Sequence, residues 1–99
     1  MNIEIKAKKF EVYYEDFVFK LTHKEAINYC KFLGYGWRLP AKSELKEMNK
    51  YQERLGLKPT GYWSSTEEFS NYAWYYNFDG PSSTYHKSNT CRVRAVRTI

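Results

Sequence analysis

The first third of the chain alternates. Ile3, Ile5 and Ala7 are separated by polar residues, and Phe10, Val12 and Tyr14 then stand at every second position, as do Phe17, Phe19 and Leu21. A period of two belongs to a strand with one face buried. Residues 1–21 therefore read as strands, with residues 10–14 folded against residues 17–21 across a turn at Glu15 and Asp16. At Thr22 the period changes. Thr22 and Glu25 have the spacing of a capping box, in which the hydroxyl accepts from the backbone N–H three residues on and the carboxylate reaches back. Ala26, Ile27, Cys30 and Leu33 recur at helical spacing and Gly34 can take the positive φ of a helix stop, which predicts a helix over residues 23–33.

A second helix is expected after Pro40, with Leu45, Met48 and Leu55 along one side, Lys42, Lys46, Glu47, Lys50 and Glu53 mostly on the wet side, and Gly56 as its stop. Beyond Pro59 the pattern is strand and loop: Gly61-Tyr62-Trp63-Ser64-Ser65, residues 72–78, a turn at Asp79-Gly80, and residues 91–97. Alternation over residues 72–78 places Tyr72, Trp74, Tyr76 and Phe78 on one face and Ala73, Tyr75 and Asn77 on the other. One face is expected in the core and the other open to a partner. In the last strand Cys91, Val93 and Ala95 share a side opposite Arg92, Arg94 and Val96, which puts at least one arginine beside packed aromatics. Cation–π stacking or a paired carboxylate such as Glu44 would accommodate it.

Ninety-nine residues allow a single domain, 1–99, because so short a chain cannot bury two independent cores. Ten Tyr, six Phe and three Trp offset the small size, since each ring buries on the order of 150–250 Å². Ten tyrosines cannot all be core, so some belong to the surface, where Tyr is favoured in recognition patches. The net charge of +5 would steer acidic partners, but it is spread over residues 6–9, both helices, Arg92, Arg94 and Arg97 rather than gathered into a nucleic-acid arm. No apolar run approaches the ~18 residues of a membrane helix, and the start of the chain has no signal-peptide pattern. As written the chain reads as cytoplasmic, and as extracellular if an export signal has been removed. In a reducing compartment Cys30 and Cys91 are expected to stay thiols.

In order along the chain stand Thr22-His23-Lys24-Glu25-Ala26-Ile27-Asn28-Tyr29-Cys30, Gly36-Trp37-Arg38-Leu39-Pro40, Ser43-Glu44-Leu45, Tyr62-Trp63-Ser64-Ser65, Tyr72-Ala73-Trp74-Tyr75-Tyr76-Asn77-Phe78 and Val93-Arg94-Ala95-Val96-Arg97. Residues 20–97 thereby resemble the bacterial Lcl C-terminal-like domain family. The resemblance implies an α+β, C-type-lectin-like fold: two helices packed on two small antiparallel sheets, with the chain ends close together. Two departures bear on structure. Ala41 replaces the threonine that commonly caps the second helix, so Ser43 or water is expected to serve instead. Ala95 stands where a cysteine is often found, which argues against a disulfide from the first helix to the last strand. The pattern is also distantly similar to the formylglycine-generating and sulfatase-modifying group and to lectin-like receptor-binding proteins of phages.

Candidate chemistry is thin. Trp37 and Leu39 read as packing residues and Arg38 as the partner of carbonyls or a carboxylate. Ser64 and Ser65 have only His23 and His86 as conceivable bases and no nucleophile-elbow glycines. Cys91, with His86 before it and Arg92 after it, is similar to the surroundings of the copper-holding cysteine pair of formylglycine-generating enzymes, but offers one cysteine there. A zinc site from Cys30, Cys91, His86 and His23 suits the metal by ligand type and matches no zinc spacing. Glu67, Glu68, Asn71, Asn77 and Asp79 supply oxygens for calcium, yet the tripeptides of calcium-dependent lectins are missing. No catalytic residue, metal site or cofactor is therefore assigned.

What remains is the open face and its loops: Tyr62, Glu67, Phe69, Tyr72, Tyr75, Asn77, Tyr85, His86 and Asn89. Mixtures of Tyr, Ser and Asn supply rigid contact area and adaptable hydrogen bonds, as paratopes do. The expected function is a non-enzymatic binding module whose carboxyl-terminal loops take a protein partner, for instance as a phage or mobile-element inhibitor or receptor-binding factor. The alternatives are a carbohydrate- or nucleic-acid-binding domain, or a cysteine- and metal-dependent enzyme of the formylglycine-generating kind.

Overall fold

The computed structural model describes residues 1–5 and 8–99, so the expectation for Ala7 and the charge of Lys6 lie outside the described residues. The α1 helix spans His23–Leu33. Its capping box forms as the spacing requires: the Glu25 N–H donates to Thr22 Oγ1 at 3.3 Å and the Thr22 N–H donates to Glu25 Oε1 at 2.9 Å. Gly34 ends it with φ 72°, its N–H turned to the carbonyl of Lys31. Ala26 and Cys30 are buried and Ile27 and Leu33 pack against the same cluster.

The second helical segment is not continuous. It comprises α2 at Lys42–Met48, a 3-10 turn at Asn49–Tyr51 and α3 at Gln52–Leu55, stopped by left-handed Gly56. Asn49 and Tyr51, weaker helix formers than the residues around them, fall where the coil tightens. The expected Ser43 cap does not form. Glu44 reaches back to accept from the Ala41 N–H at 2.8 Å, and the Lys42 N–H donates to Thr66 Oγ1 at 3.0 Å. The missing cap is thus supplied by a residue of a strand distant in sequence.

One sheet contains β1 (Asn2–Ile5), β2 (Lys8–Val12) and β6 (Val96–Thr98), in the order β1-β2-β6. The other contains β3 (Gly61–Phe69), β4 (Tyr72–Asn77) and β5 (Ser83–His86), in the order β3-β4-β5. All pairings are antiparallel. The α+β class with two small antiparallel sheets stands, and both chain ends lie in the first sheet with β2 between them.

The expected hairpin of residues 10–14 with residues 17–21 does not form. Strand β2 pairs instead with β1, through Ile3 and Phe10, and with β6, through Val12 and Val96. Residues 13–21 run as an irregular strap along residues 91–95. Along it the N–H groups of Tyr13, Phe17 and Leu21 donate to the carbonyls of Ala95, Val93 and Cys91 at 2.9, 3.0 and 2.9 Å. Residues 91–95 accordingly do not make the strand that alternation suggested. Only β6 is regular, and Cys91 and Arg92 form single bridges to Leu21 and Tyr62.

Two buried clusters flank β3. Tyr62 joins Ile3, Phe10, Val12, Leu45, Met48 and Phe78 on one side, while Trp63 joins Ala26, Cys30, Leu39, Ala73, Cys91 and Val93 on the other. Consecutive strand residues point to opposite faces, so this sheet is covered on both. The expectation of one core face and one open face on β4 fails for that reason. Ala73 is fully buried on one side, and on the other Tyr76 packs on Phe78 with centroids 4.9 Å apart while Lys42 Nζ sits 3.4 Å from the Trp74 ring centre.

The arginines separate as well. Arg94 is buried and donates through Nε to Asp16 Oδ1 at 2.7 Å, through Nη2 to the Leu55 carbonyl at 2.8 Å and through Nη1 to that of Tyr13 at 3.2 Å. Arg97 stacks on Trp37 at 4.7 Å and pairs with Glu11. Glu44 serves Arg38, which meets it with two parallel bonds of 2.7 and 2.9 Å.

Candidate functional site

The register of β4 with β5 sorts the candidate residues. Tyr72 faces His86, Ala73 faces Tyr85 and Tyr75 faces Ser83. Tyr72 and His86 therefore share one side of the sheet, and Tyr75, Asn77 and Tyr85 the other. On the first side the Tyr72 ring meets Phe69 at 6.4 Å and His86 at 5.3 Å, both edge-on. On the second, Tyr75 and Tyr85 contact each other at 4.7 Å, and Tyr85 stands 6.3 Å from buried Trp63.

Tyr62 does not belong to either group. It is 0% exposed, its hydroxyl donates to Asp16 Oδ2 at 2.5 Å and accepts from the Lys58 N–H at 2.9 Å. Burial and the Asp16 carboxylate raise its pKa and hold it neutral. A tyrosine so enclosed cannot touch a partner. Glu67 is exposed and tied to Lys87 Nζ at 2.8 Å, and Asn89 is exposed in the turn after β5, its N–H on the carbonyl of His86.

Three of the nine candidates converge on a recess. Tyr75, Asn77 and Tyr85 line a hollow of about 180 Å³ together with Lys20, Thr60, Gly61, Thr90 and Cys91. The strap supplies Lys20 because the Leu21–Cys91 bridge lays it beside the segment that carries Thr90. Gly61 leaves room for the Tyr75 ring, which a methyl group there would meet at 2.8 Å. Lys20 is the one charged residue of the lining. Nothing local in the sequence marks Lys20, Thr60 or Thr90, since only tertiary pairing brings them to the recess.

The sequence reading also missed Val18, Phe19, Phe32 and Tyr35, all exposed, on the strap and around the end of α1. Tyr35 has φ 54°, between two glycines of positive φ. Phe32 and Phe17, with Leu21 and Tyr29, line a shallow groove there.

The serines and histidines pair otherwise than nucleophilic chemistry would need. Ser64 is buried, its hydroxyl donating to the Trp74 carbonyl at 2.7 Å and accepting from the Thr66 N–H. His23 Nε2 lies 2.9 Å from the Ser64 carbonyl, which can only accept, so that nitrogen carries the proton. His86 Nδ1 accepts from the Ser88 N–H and meets its hydroxyl at 2.7 Å, a contact local to an exposed turn. Cys30 and Cys91 are free and buried, and burial pushes both thiols up to about 12. Among the described residues no three His, Cys, Asp or Glu side chains gather to hold a metal ion, and no helix is long and apolar enough to cross a membrane.

Residues 7–97, nearly the whole chain, match the model of the Lcl C-terminal domain. The chain belongs to the Lcl C-terminal domain family. No curated protein matches it. The blocks that carry the family resemblance hold this fold together: Arg38 clamps Glu44, the Trp63 indole N–H donates to the Leu21 carbonyl at 2.7 Å, and Arg94 anchors the strap. Of the recess, only Tyr75 and Asn77 fall within those blocks. In this Lcl C-terminal domain, family membership therefore fixes the scaffold, and the ligand has to be argued from the recess and the exposed rings.

Proposed function

We propose that this Lcl C-terminal domain is a non-enzymatic binding module that recognises a protein partner through the aromatic and polar residues of β3, β4, β5 and the turns between them, on a C-type-lectin-like scaffold. The observation that carries the reading is the exposure of large rings on that sheet: Phe69 at 68%, Tyr72 at 41% and Tyr85 at 41%. Phe69 and Tyr72 contact each other on one side of the sheet, and Tyr85 contacts Tyr75 on the other. Aromatic anchors beside adaptable polar groups, here Glu67, His86 and Asn89, are the composition of protein-recognition surfaces. Tyr75 and Asn77 contribute from the recess, and Tyr62 acts from beneath as support.

The test is capture from a nuclease-treated lysate of the native host at low and high salt, with Phe69→Ser/Tyr72→Ser/Tyr85→Ser and Phe32→Ser/Tyr35→Ser as parallel baits. One protein held at high salt by the wild type and by the second variant, and lost by the first, is the expected result. Loss with the second variant alone moves the binding face to α1. Retention of nucleic acid that salt removes would replace the protein reading with an electrostatic one.

A further inference from the structure

We infer that the recess beneath β4 and β5 is a receptor for a single carboxylate, presented by an aspartate or glutamate side chain of the partner. This rests on the binding-module reading and names the chemistry of one of its contacts. The lining contains one cation, Lys20, and no carboxylate. Among the described residues Lys20 Nζ has no ion-pair or hydrogen-bond partner, unlike Lys50 and Lys87, which are paired with Glu47 and Glu67. Its charge is felt at the wall, where it acts on the Cys91 thiol.

The other polar groups of the recess point the same way. Asn77 Oδ1 already accepts from the Asp79 N–H at 2.9 Å, which leaves its amide N–H groups as the free donors. The hydroxyls of Thr60, Thr90, Tyr75 and Tyr85 have no partner among the described residues, and a hydroxyl can turn its hydrogen toward an anion. A cation with several neutral donors around it, and no competing acid, suits one negative charge. Size narrows the choice. At about 180 Å³ the recess is smaller than the roughly 300–1,000 Å³ of sites that enclose whole small molecules, so it admits the head of one side chain. A phosphate or sulfate group carries more than one negative charge and is met by lysines, an arginine fork or a nest of backbone N–H groups acting together. The lining adds neither an arginine nor a helix N-terminus to its single lysine, which matches the one charge of a carboxylate. The net charge of +5 attracts acidic surfaces from a distance and the recess then gives one of their carboxylates a fixed seat.

The experiment is an amide-resolved NMR titration of the whole chain, at constant ionic strength, with the blocked glutamate N-acetyl-glutamic acid α-amide as probe. Its neutral isostere N-acetyl-glutamine amide, sodium glucuronate and sodium sulfate are the comparison arms. Saturating shifts confined to Lys20, Thr60, Asn77 and Thr90 are expected with the glutamate probe. Binding should weaken about tenfold in Lys20→Gln, which is about 1.4 kcal/mol and the lower end for hydrogen bonds to charged groups because the lysine is exposed. Lys42→Gln, which alters the cation over Trp74 instead, should leave the affinity unchanged. Equal response to the glutamine isostere, equally tight sulfate binding at the same residues, or shifts that persist in Lys20→Gln would each overturn the carboxylate seat. Tighter binding of glucuronate than of the glutamate probe would overturn its assignment to a protein side chain. Loss of the seat with retained partner capture through Phe69, Tyr72 and Tyr85 rejects this inference alone, whereas failure of capture rejects the reading beneath it.

Discussion

His23 opens α1 and is 2% exposed, edge-on to the Trp63 ring at 5.0 Å. Burial lowers its pKa below 6.5, the Lys87 charge acts in the same direction, and the Ser64 bond and Glu67 charge oppose them. The unfolded chain therefore takes up this proton at a higher pH than the folded chain, and stability rises with pH wherever the unfolded state binds more protons. The contribution of neutral His23 is complete above about 6.5 and is lost as pH falls toward the lower folded value. Urea midpoints should drop between neutral pH and about pH 5, and His23→Gln should flatten that slope. An unchanged slope in the variant would put the effect elsewhere. Glu44 acts in a separate window: burial raises its pKa, the Arg38 hydrogen bonds and charge with the Ala41 N–H outweigh that, and the net lowering makes its contribution disappear only below 4.5. At this scale the sequence misjudged where some of its candidates lie. Tyr62 and Tyr85 have the same side chain, and nothing adjacent to Tyr62 announces that Asp16 and Phe78 will enclose it.

The strap of residues 13–21 is the element whose place depends most on long-range contacts. It has almost no regular structure of its own, and four backbone hydrogen bonds and the Asp16–Arg94 pair hold it to residues 91–95. Asp16 also accepts from the Tyr62 hydroxyl, so one carboxylate joins the strap, β3 and the carboxyl-terminal segment. Removing one partner of a buried pair leaves the other charge without compensation. Asp16→Ala should cost about 3–5 kcal/mol in chemical denaturation. A loss below about 1 kcal/mol, the range of a surface ion pair, would show that water replaces the carboxylate. The first helix and the stop of the second, by contrast, were legible in detail, while the 3-10 break at Asn49–Tyr51 was not. The Thr22–Glu25 box, the apolar spacing of α1 and the stops at Gly34 and Gly56 are local properties of the chain and appear where the spacing placed them. The start of α2 was not, because the Thr66 hydroxyl that caps it lies 24 residues away.

Across the whole molecule, β3 has a cluster on each side, and the two buried thiols sit in the cluster that also contains Trp63. With both pKa values pushed up to about 12, the thiolate fraction near pH 8 falls by about a thousandfold relative to an ordinary cysteine. A disulfide reagent should therefore leave Cys30 and Cys91 unmodified over the time in which it titrates both in denaturant. Rapid native labelling of Cys91 would mean that the recess opens to its floor. Labelling kinetics at rising urea would further report whether the two thiols become accessible together, as one cooperative unit requires.

By itself the sequence determined what short-range physics can determine: the α+β class, the capped and stopped α1 helix, the aromatic richness that sustains a core in so short a chain, and the blocks that place it in the Lcl C-terminal domain family. Alternation with period two says that a side chain faces something apolar. It does not say which strand lies alongside, or whether another part of the chain later covers the opposite face. Those were decided only by the tertiary structure, through the pairing of residues 13–21 with residues 91–95 and of β2 with both β1 and β6. The same long-range closure enclosed Tyr62, divided the remaining candidates between two faces, and set Lys20 and Thr90 beside Tyr75, Asn77 and Tyr85.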